Sequence, residues 1–222
     1  MDDLTEFCHL LASWLPMLAG GAATTASLSA AAMLCGFFAG TGIYCLQRAR
    51  RPACRGLARA YVSVFRSTPV LVLVLLCYYL PGELGVEAGA WAAAAVALTL
   101  NSAAYQAQIL RGGFAAVPAG QQDAALACGL GPWQAFWHIR LPQALRPTLP
   151  AFISEMIDVI KASAVVSVIA ITDVMRVGQQ LASASYRMLP AYLAVALVYL
   201  VMTSLLALAG RHLEQRWRKE PS

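Results

Sequence analysis

Residues 121–142 read QQDAALACGLGPWQAFWHIRLP and separate two long apolar stretches of the chain. The first eight residues of this segment are mostly helix formers, and Gly129 follows them. Glycine readily adopts the left-handed conformation that occurs just after many helices end. Pro132 suits the first turn of a second helix, where a backbone N–H is not needed. The segment therefore predicts a compact unit of helix, turn and helix between two apolar parts of an all-α chain.

The composition of the chain places this unit in a membrane protein. Of the 222 residues, 59% are hydrophobic and 12% are charged, which is too apolar for a soluble globular domain. Four runs are long or nearly long enough to cross a hydrocarbon core of about 30 Å, and a fifth is apolar apart from three charged residues. We therefore predict one domain over residues 1–222, an all-α polytopic membrane helical bundle with about five transmembrane helices. The predicted spans are residues 20–46, 60–80, 88–110, 149–172 and 188–210, with a cytoplasmic helix-turn-helix coupling loop at 111–147.

The distribution of charge orients these spans. Arginines cluster after the first predicted span, in the coupling loop and in the C-terminal tail, whereas the opposite connections hold mostly Asp and Glu. The positive-inside rule assigns the arginine-rich side to the cytoplasm. We therefore predict a protein of the cell inner membrane with its N-terminus outside and its C-terminus cytoplasmic. The net charge of +5 reflects this orientation, and we expect no nucleic-acid partner. Residues 4–18 are too short to span and are predicted to form an amphipathic lead-in at the outer interface.

Polar side chains inside the predicted spans are the candidates for a substrate pathway. Glu155, Asp158 and Lys161 follow one another at intervals of three residues, so neighbours share one helix face. Ionised groups at membrane depth cost several kcal/mol unless they are paired or face water, which favours a bundle interior or a substrate path. Asn101 and Tyr105 add polar groups to the third predicted span. Structural pairing of the charges and helix packing by Asn101 and Tyr105 remain open as alternatives.

The fixed positions of the polar segment also match a known pattern. Asp123-Ala124-Ala125, Gly129 and Ile139-x-Leu141-Pro142 resemble the E-A-A-x3-G-x9-I-x-L-P loop of bacterial ABC importer permeases. Asp123 stands where that family usually has Glu. Three further runs resemble the polar amino acid subfamily, which includes histidine, glutamine and arginine permeases. These runs are residues 65–69 (FRSTP), 101–105 (NSAAY) and 160–169 (IKASAVVSVI), the last of which departs from the family pattern at Ser163 and Ala164.

The resemblance implies a permease subunit of an ATP-driven importer for a polar amino acid, basic ones included. It implies partners of three kinds: two ATP-binding subunits, a second permease copy or a homologous permease, and a periplasmic or extracellular solute-binding protein. The partner ATPase would bind ATP and magnesium, because this chain has no G-x4-G-K-[ST] phosphate loop. We expect no catalytic residue, metal site or cofactor in this chain. The residues implied to dock on the ATPase are Asp123, Ala124, Ala125, Gly129, Ile139, Leu141 and Pro142.

Two other classes of membrane protein, a secondary transporter and an intramembrane hydrolase, agree less well with the sequence. An ion-coupled secondary amino acid transporter usually shows an internal repeat, which we do not find, and the long polar loop would be unexplained. An intramembrane hydrolase needs a Ser and His pair or two Asp at membrane depth. All three histidines, His9, His138 and His212, lie outside the predicted spans, and Asp158 is alone there. The secondary transporter therefore stands as the alternative.

Overall fold

The computed structural model describes residues 2–118 and 120–219, and the chain is helical over nearly all of this part. A π-helix, Phe136–Arg140, lies between α6 and α7, and a 3₁₀-helix, Ser163–Ile169, lies between α7 and α8. The α-helices are α1 (Asp2–Gln47), α2 (Pro52–Ser67), α3 (Val70–Glu83), α4 (Ala90–Ala115), α5 (Gly120–Ala127), α6 (Pro132–Ala135), α7 (Leu141–Ala162), α8 (Val174–Ser185) and α9 (Met188–Lys219).

The first helix is much longer than the predicted span at 20–46. It has 46 residues, which corresponds to about 70 Å at 1.5 Å per residue. Residues 4–18, predicted as a separate lead-in, continue the same helix through Pro16. Trp14 and Leu18 are buried against α8 and α9, and this packing supports the helix across the proline. The prediction of a separate segment was therefore wrong.

The second predicted span, 60–80, is not one helix. It breaks at Thr68 and Pro69, where α2 and α3 meet at a bend of 106°. Pro69 has no N–H to continue the helix, and its ring disfavours the helical conformation of the residue before it. Thr68 is accordingly extended, with φ −84° and ψ 129°. The break matters for function because Pro69 leaves the Phe65 carbonyl without a helical donor, and a side chain of α4 donates to it instead.

The fourth predicted span, 149–172, is also interrupted. The helix begins earlier, at Leu141, and ends at Ala162. A 3₁₀-helix follows, and Ala170 then adopts a left-handed conformation with φ 61°. Asp173 then caps α8 by accepting a hydrogen bond from the Arg176 N–H at 2.8 Å, so a new helix begins a few residues after the interruption. The predicted helical span 149–172 is corrected at its C-terminal end, because a 3₁₀-helix and a turn follow Ala162 in place of the α-helix.

The bundle is built around α1 and α4. A Cβ added at Gly40 would lie 2.9 Å from the Ala103 carbonyl oxygen, so only a residue without a side chain fits there. The main apolar core joins these two helices to α3 and to the end of α7, through Leu28, Val74, Leu98 and Val159. The packing places polar residues of α4 beside α7, which positions the site described below.

Two helices of the described residues are long and apolar enough to cross a membrane, Thr5–Gln47 and Met188–Arg216. The bent pair α2 and α3 passes the same test as a unit, as a broken span or a re-entrant loop. The predicted spans 88–110 and 149–172 fall on α4 and α7. Buried polar residues such as Gln106 lie on α4, and α7 contains Pro147 and Pro150. The number of five spans therefore stays a prediction.

Candidate functional site

The predicted docking residues lie in a segment, residues 120–142, that we call the docking segment. Gly129 ends α5 with φ +79°, which is the left-handed conformation expected from the sequence. The Leu130 N–H donates to the Ala125 carbonyl at 3.1 Å, and the Gly129 N–H donates to the Leu126 carbonyl at 3.0 Å. This pair of bonds is a Schellman motif. A Cβ at Gly129 would meet nothing within 4 Å, so the constraint on this position comes from the backbone alone.

The second helix of the docking segment does not stand alone. Pro132 opens α6 as expected, and the Gly131 N–H donates to Gln134 Oε1 at 3.0 Å. The chain then passes through the π-helix, which contains Ile139, directly into α7, where Leu141 and Pro142 form the first turn. The docking segment is thus continuous with the helix that carries Glu155, Asp158 and Lys161.

The docking residues differ in exposure. Asp123, Ala124, Gly129 and Pro142 are exposed, and Ile139 and Leu141 are half-buried. Ala125 is buried, at 2% exposure, and faces its own chain. Three large apolar side chains add to the exposed surface: Leu126 at 47%, Trp133 at 71% and Trp137 at 47%. The segment therefore presents an apolar face with one carboxylate. Ala119, just before it, lies outside the described residues.

A row of aromatic rings ties the docking segment to the bundle. Phe136 stacks on Phe114 of α4 at 5.8 Å between ring centroids, and Phe114 stacks on Tyr44 of α1 at 5.1 Å. Trp133 lies 6.2 Å from Phe136 on the other side. Such pairs contribute about 0.5–1.5 kcal/mol each beyond the area that they bury. The rings form a packed path from the exposed tryptophan surface to α1 and α4.

The second region is a cavity at the break between α2 and α3. Asn101 Nδ2 donates to the free Phe65 carbonyl at 2.8 Å, and the Tyr61 hydroxyl donates to the Leu100 carbonyl at 2.8 Å. The Arg66 guanidinium lies over the Tyr105 ring, 4.8 Å from its centroid. These contacts hold the broken helix against α4 and bring a cation to the edge of the cavity.

The cavity has a volume of about 240 Å³ and brings together four of the five predicted pathway residues. Asn101 and Tyr105 come from α4, and Glu155 and Asp158 come from α7. The apolar part of the lining is Val70, Leu98, Val159 and Ala162. A small chamber with apolar walls, two carboxylates, an amide and a phenol has the composition of a site for a small polar molecule.

Glu155 is buried, at 7% exposure, and accepts a hydrogen bond from Ser102 Oγ at 2.7 Å. Gln106 Nε2 donates to the same Ser102 oxygen and to the Met33 carbonyl, both at 3.0 Å. The network fixes one carboxylate oxygen of Glu155 through groups of α4 and α1. Buried carboxylates need such partners, and a fixed orientation leaves the other oxygen available to the cavity.

Lys161 pairs with Asp158, with Nζ 2.7 Å from Oδ1, and not with Glu155. Both side chains of the pair are more than half exposed in the isolated chain, at 57% and 66%. Lys161 does not line the cavity, so its predicted place in the pathway is beside it, through Asp158. In the described part of the chain, no group of three or more His, Cys, Asp or Glu side chains is arranged to hold a metal ion.

Comparison with known proteins identifies the family. Residues 32–219 match the family described as binding-protein-dependent transport system inner membrane component. The chain belongs to this family. It is therefore a membrane permease, a class that works in general with ATP-binding subunits and a solute-binding protein, and the ion-coupled alternative is not favoured.

Individual relatives of the permease match most of its length. The arginine transport system permease protein ArtQ of Bacillus subtilis (strain 168) is 38% identical over 161 residues, which is 72% of this chain and 74% of that protein. The nopaline transport system permease protein NocM of Agrobacterium fabrum is 33% identical over 205 residues, or 88% and 85%. A solved structure of an amino acid ABC transporter with histidines aligns with a TM-score of 0.86 at 33% identity, covering 92% and 96% of the two chains.

Some features of the permease site have no counterpart in the sequence analysis. Phe136 stacks on Phe114, and Phe114 stacks on Tyr44. The three rings belong to separate elements, so no local spacing predicts this row. The Ser102 bond to Glu155 spans 53 positions of the chain. A signal was present for the helix break, since residues 65–69 contain the Thr68-Pro69 pair, but a proline predicts an interruption and not its angle.

Proposed function

We propose that the permease forms the translocation path for a polar amino acid with a cationic side chain, and that the cavity beside the α2–α3 break is part of that path. The observation that carries this proposal is the presence of Glu155 and Asp158 in one chamber with Asn101 and Tyr105. Two relatives are permeases of transport systems for arginine and for nopaline, and both agree with a polar substrate.

The charges around the cavity suit a zwitterion with an added positive group. The two carboxylates provide acceptors for ammonium or guanidinium groups. Arg66, above the Tyr105 ring, is placed to receive the α-carboxylate of the substrate. Lys161 already satisfies one oxygen of Asp158, so Glu155, whose second oxygen has no bound cation, is the stronger candidate for recognition of a cationic side chain.

We further propose that the docking segment binds the partner ATPase through Asp123, Ala124 and the exposed Leu126, Trp133 and Trp137. ATP and magnesium belong to that partner. Its closure would move the docking segment, and the continuity of this segment with α7 carries the movement to Glu155 and Asp158. Transport then follows from a shift between inward-facing and outward-facing states of a permease pair.

The experiment is uptake into sealed vesicles that contain the complete transporter, with ATP inside the cytoplasmic compartment and no ion gradient. Radiolabelled arginine and glutamine serve as a cationic and a neutral substrate. We expect Glu155→Gln to lower arginine uptake at least about tenfold more than glutamine uptake, because a contact between charged groups contributes about 1.5–3 kcal/mol.

Asp158→Asn provides the comparison, and Ser154→Ala, an exposed neighbour on α7 outside the cavity, is the matched control. Equal losses for both substrates in Glu155→Gln would mean that this carboxylate supports the fold and does not recognise the substrate. Uptake that requires an ion gradient and not ATP would contradict the proposed mechanism as a whole.

A further inference from the structure

A second cavity lies at the end of the bundle that carries the docking segment. It has a volume of about 410 Å³ and is formed where α1 ends, between α2 and α4. Its lining is strongly basic, with the side chains of Arg48, Arg55, Arg59 and Arg111 around Tyr44 and Gln47. None of these residues lines the cavity at the α2–α3 break or belongs to the docking segment.

Within the described part of the chain, the four arginines have no acidic partner. Arg48 donates to the Tyr44 hydroxyl at 3.3 Å, and Arg55 donates to two backbone carbonyls of the preceding link at 3.2 Å. Among the side chains that the structure describes, those of residues 5–7, 9–118, 120, 121 and 123–216, no carboxylate lies within 4.0 Å of any of these four guanidinium groups. Guanidinium groups gathered without a counter-charge repel one another, and a bound anion removes that repulsion. The planar fork of arginine suits phosphate oxygens in particular.

Gln47 supplies an independent sign of a ligand. Both polar atoms of its side chain, Nε2 and Oε1, are buried and have no hydrogen-bond partner. Buried polar groups without partners are rare because each costs free energy, and such groups often serve to bind a ligand. The amide needs one acceptor and one donor. A phosphate oxygen next to a hydroxyl group provides both.

The depth of the cavity indicates where the ligand comes from. The long apolar run of α1 stops at Leu46, directly before Gln47 and Arg48. Leu46 and, on α2, Leu57 are exposed, at 48% and 72%, as expected of side chains that face acyl chains. The arginines therefore lie at the level of the lipid headgroups, on the side that we assign to the cytoplasm.

We propose that this cavity binds a phosphate group that carries a neighbouring hydroxyl. The two sources with this chemistry are the headgroup of an anionic phospholipid in the inner leaflet and a free phosphate compound of the cytoplasm. Binding fastens the end of α1 to α2 and α4, next to the Tyr44 and Phe114 rings that contact the docking segment. The site thus makes the permease sensitive to the anionic content of its membrane or cytoplasm.

The test measures ligand binding to the purified transporter in detergent micelles through the shift in Tm. Phosphatidylglycerol is the lipid probe, phosphatidylcholine is the match with a neutral headgroup, and inorganic phosphate is the soluble probe. We expect phosphatidylglycerol to raise Tm in a saturable manner, and phosphatidylcholine to have no effect. Arg59→Gln combined with Arg111→Gln is expected to weaken this binding about tenfold or more.

Two further variants separate a built site from general attraction. Arg50→Gln combined with Arg51→Gln removes the same amount of charge from the link between α1 and α2, outside the cavity, and is expected to bind as the native protein does. Gln47→Leu keeps every charge, so a loss of phosphatidylglycerol binding in this variant supports a specific site. Since the Gln47 amide has no hydrogen-bond partner within the described chain, we expect its replacement not to lower the Tm measured without added ligand.

The two probes distinguish an anionic phospholipid from a free phosphate compound as the ligand, and the variants can overturn the proposal. Competition by inorganic phosphate that depends on Arg59 and Arg111 identifies a free phosphate compound, whereas phosphatidylglycerol binding without such competition identifies the lipid. Equal weakening by the two double variants would show attraction by charge alone and would overturn the site. The same conclusion follows if neither probe shifts the Tm of the native protein.

Discussion

Gly129 has a left-handed backbone conformation and lies in the segment that we propose to dock on the ATPase. Its φ of +79° is costly for any residue with a side chain, and a β-branched residue there is strained by about 1–3 kcal/mol. We expect Gly129→Val to leave the chain inserted in the membrane but to reduce ATPase activity stimulated by the binding protein severalfold or more. The measurement is ATP hydrolysis by the reconstituted transporter. Gly131→Ala is the matched control, because Gly131 has φ −65° and space for a Cβ. Full activity of Gly129→Val would contradict the docking role of the segment.

The sequence predicts such local features well at the scale of single residues. The left-handed Gly129 and the position of Pro132 in a first turn follow from the conformational limits of these two residue types. The spacing of Glu155 and Asp158 on one face of α7 also follows from helical geometry. The hydrogen bond from Ser102 of α4 to Glu155 and the presence of Tyr105 in the same cavity do not follow from local spacing, because both depend on tertiary packing.

The break between α2 and α3 is held by hydrogen bonds to α4, which leads to a prediction at the scale of elements. Asn101→Leu leaves the Phe65 carbonyl without its partner, and a buried group left unsatisfied costs about 1–3 kcal/mol. We expect a lower Tm together with a raised KM for uptake, because Asn101 also lines the cavity. Tyr61→Phe removes the other bond to α4 but lies outside the cavity, so it is expected to lower Tm at unchanged KM. An unchanged KM in both variants would mean that the cavity at the α2–α3 break is not part of the substrate path.

Phe136 tests whether the aromatic row transmits movement. Its ring stacks on Phe114 and contacts Trp133 and Trp137, and Phe136→Ala removes these three contacts while both tryptophan side chains are kept. We expect ATP hydrolysis to continue and the amount of amino acid transported per ATP to fall severalfold. The control is Phe38→Ala, which truncates a Phe that is 68% exposed and remote from the docking segment in sequence. An unchanged ratio of transport to hydrolysis in Phe136→Ala would show that coupling runs through α7 alone.

Hydropathy predicted the presence of the long helices better than it predicted where each helix begins and ends. Apolar runs identified all the long helices, but α1 extends far beyond its apolar run because Trp14 and Leu18 pack on α8 and α9. The interruptions after Ser67 and Ala162 lie inside apolar runs. Burial against neighbouring helices allows a broken backbone at these points. At the first of them Asn101 of α4 donates to the Phe65 carbonyl, and at the second the Ser163 hydroxyl donates to the Ile160 carbonyl. Neighbours of that kind cannot be deduced from a local window of sequence.

The arrangement of the whole molecule in the membrane gives the last prediction. If five spans are correct, Glu87, before α4, lies outside and Gln121, in the docking segment, lies in the cytoplasm. In a variant with all six native cysteines replaced by alanine, we expect Glu87→Cys to react with a membrane-impermeant maleimide in intact right-side-out vesicles. Gln121→Cys is expected to react only after the vesicles are opened. Arg51→Cys, on the same predicted side as Gln121, is the control for the cytoplasmic face. Labelling of Glu87→Cys and Gln121→Cys from one side would mean that α4 does not span, and the docking segment would then need another route to the ATPase.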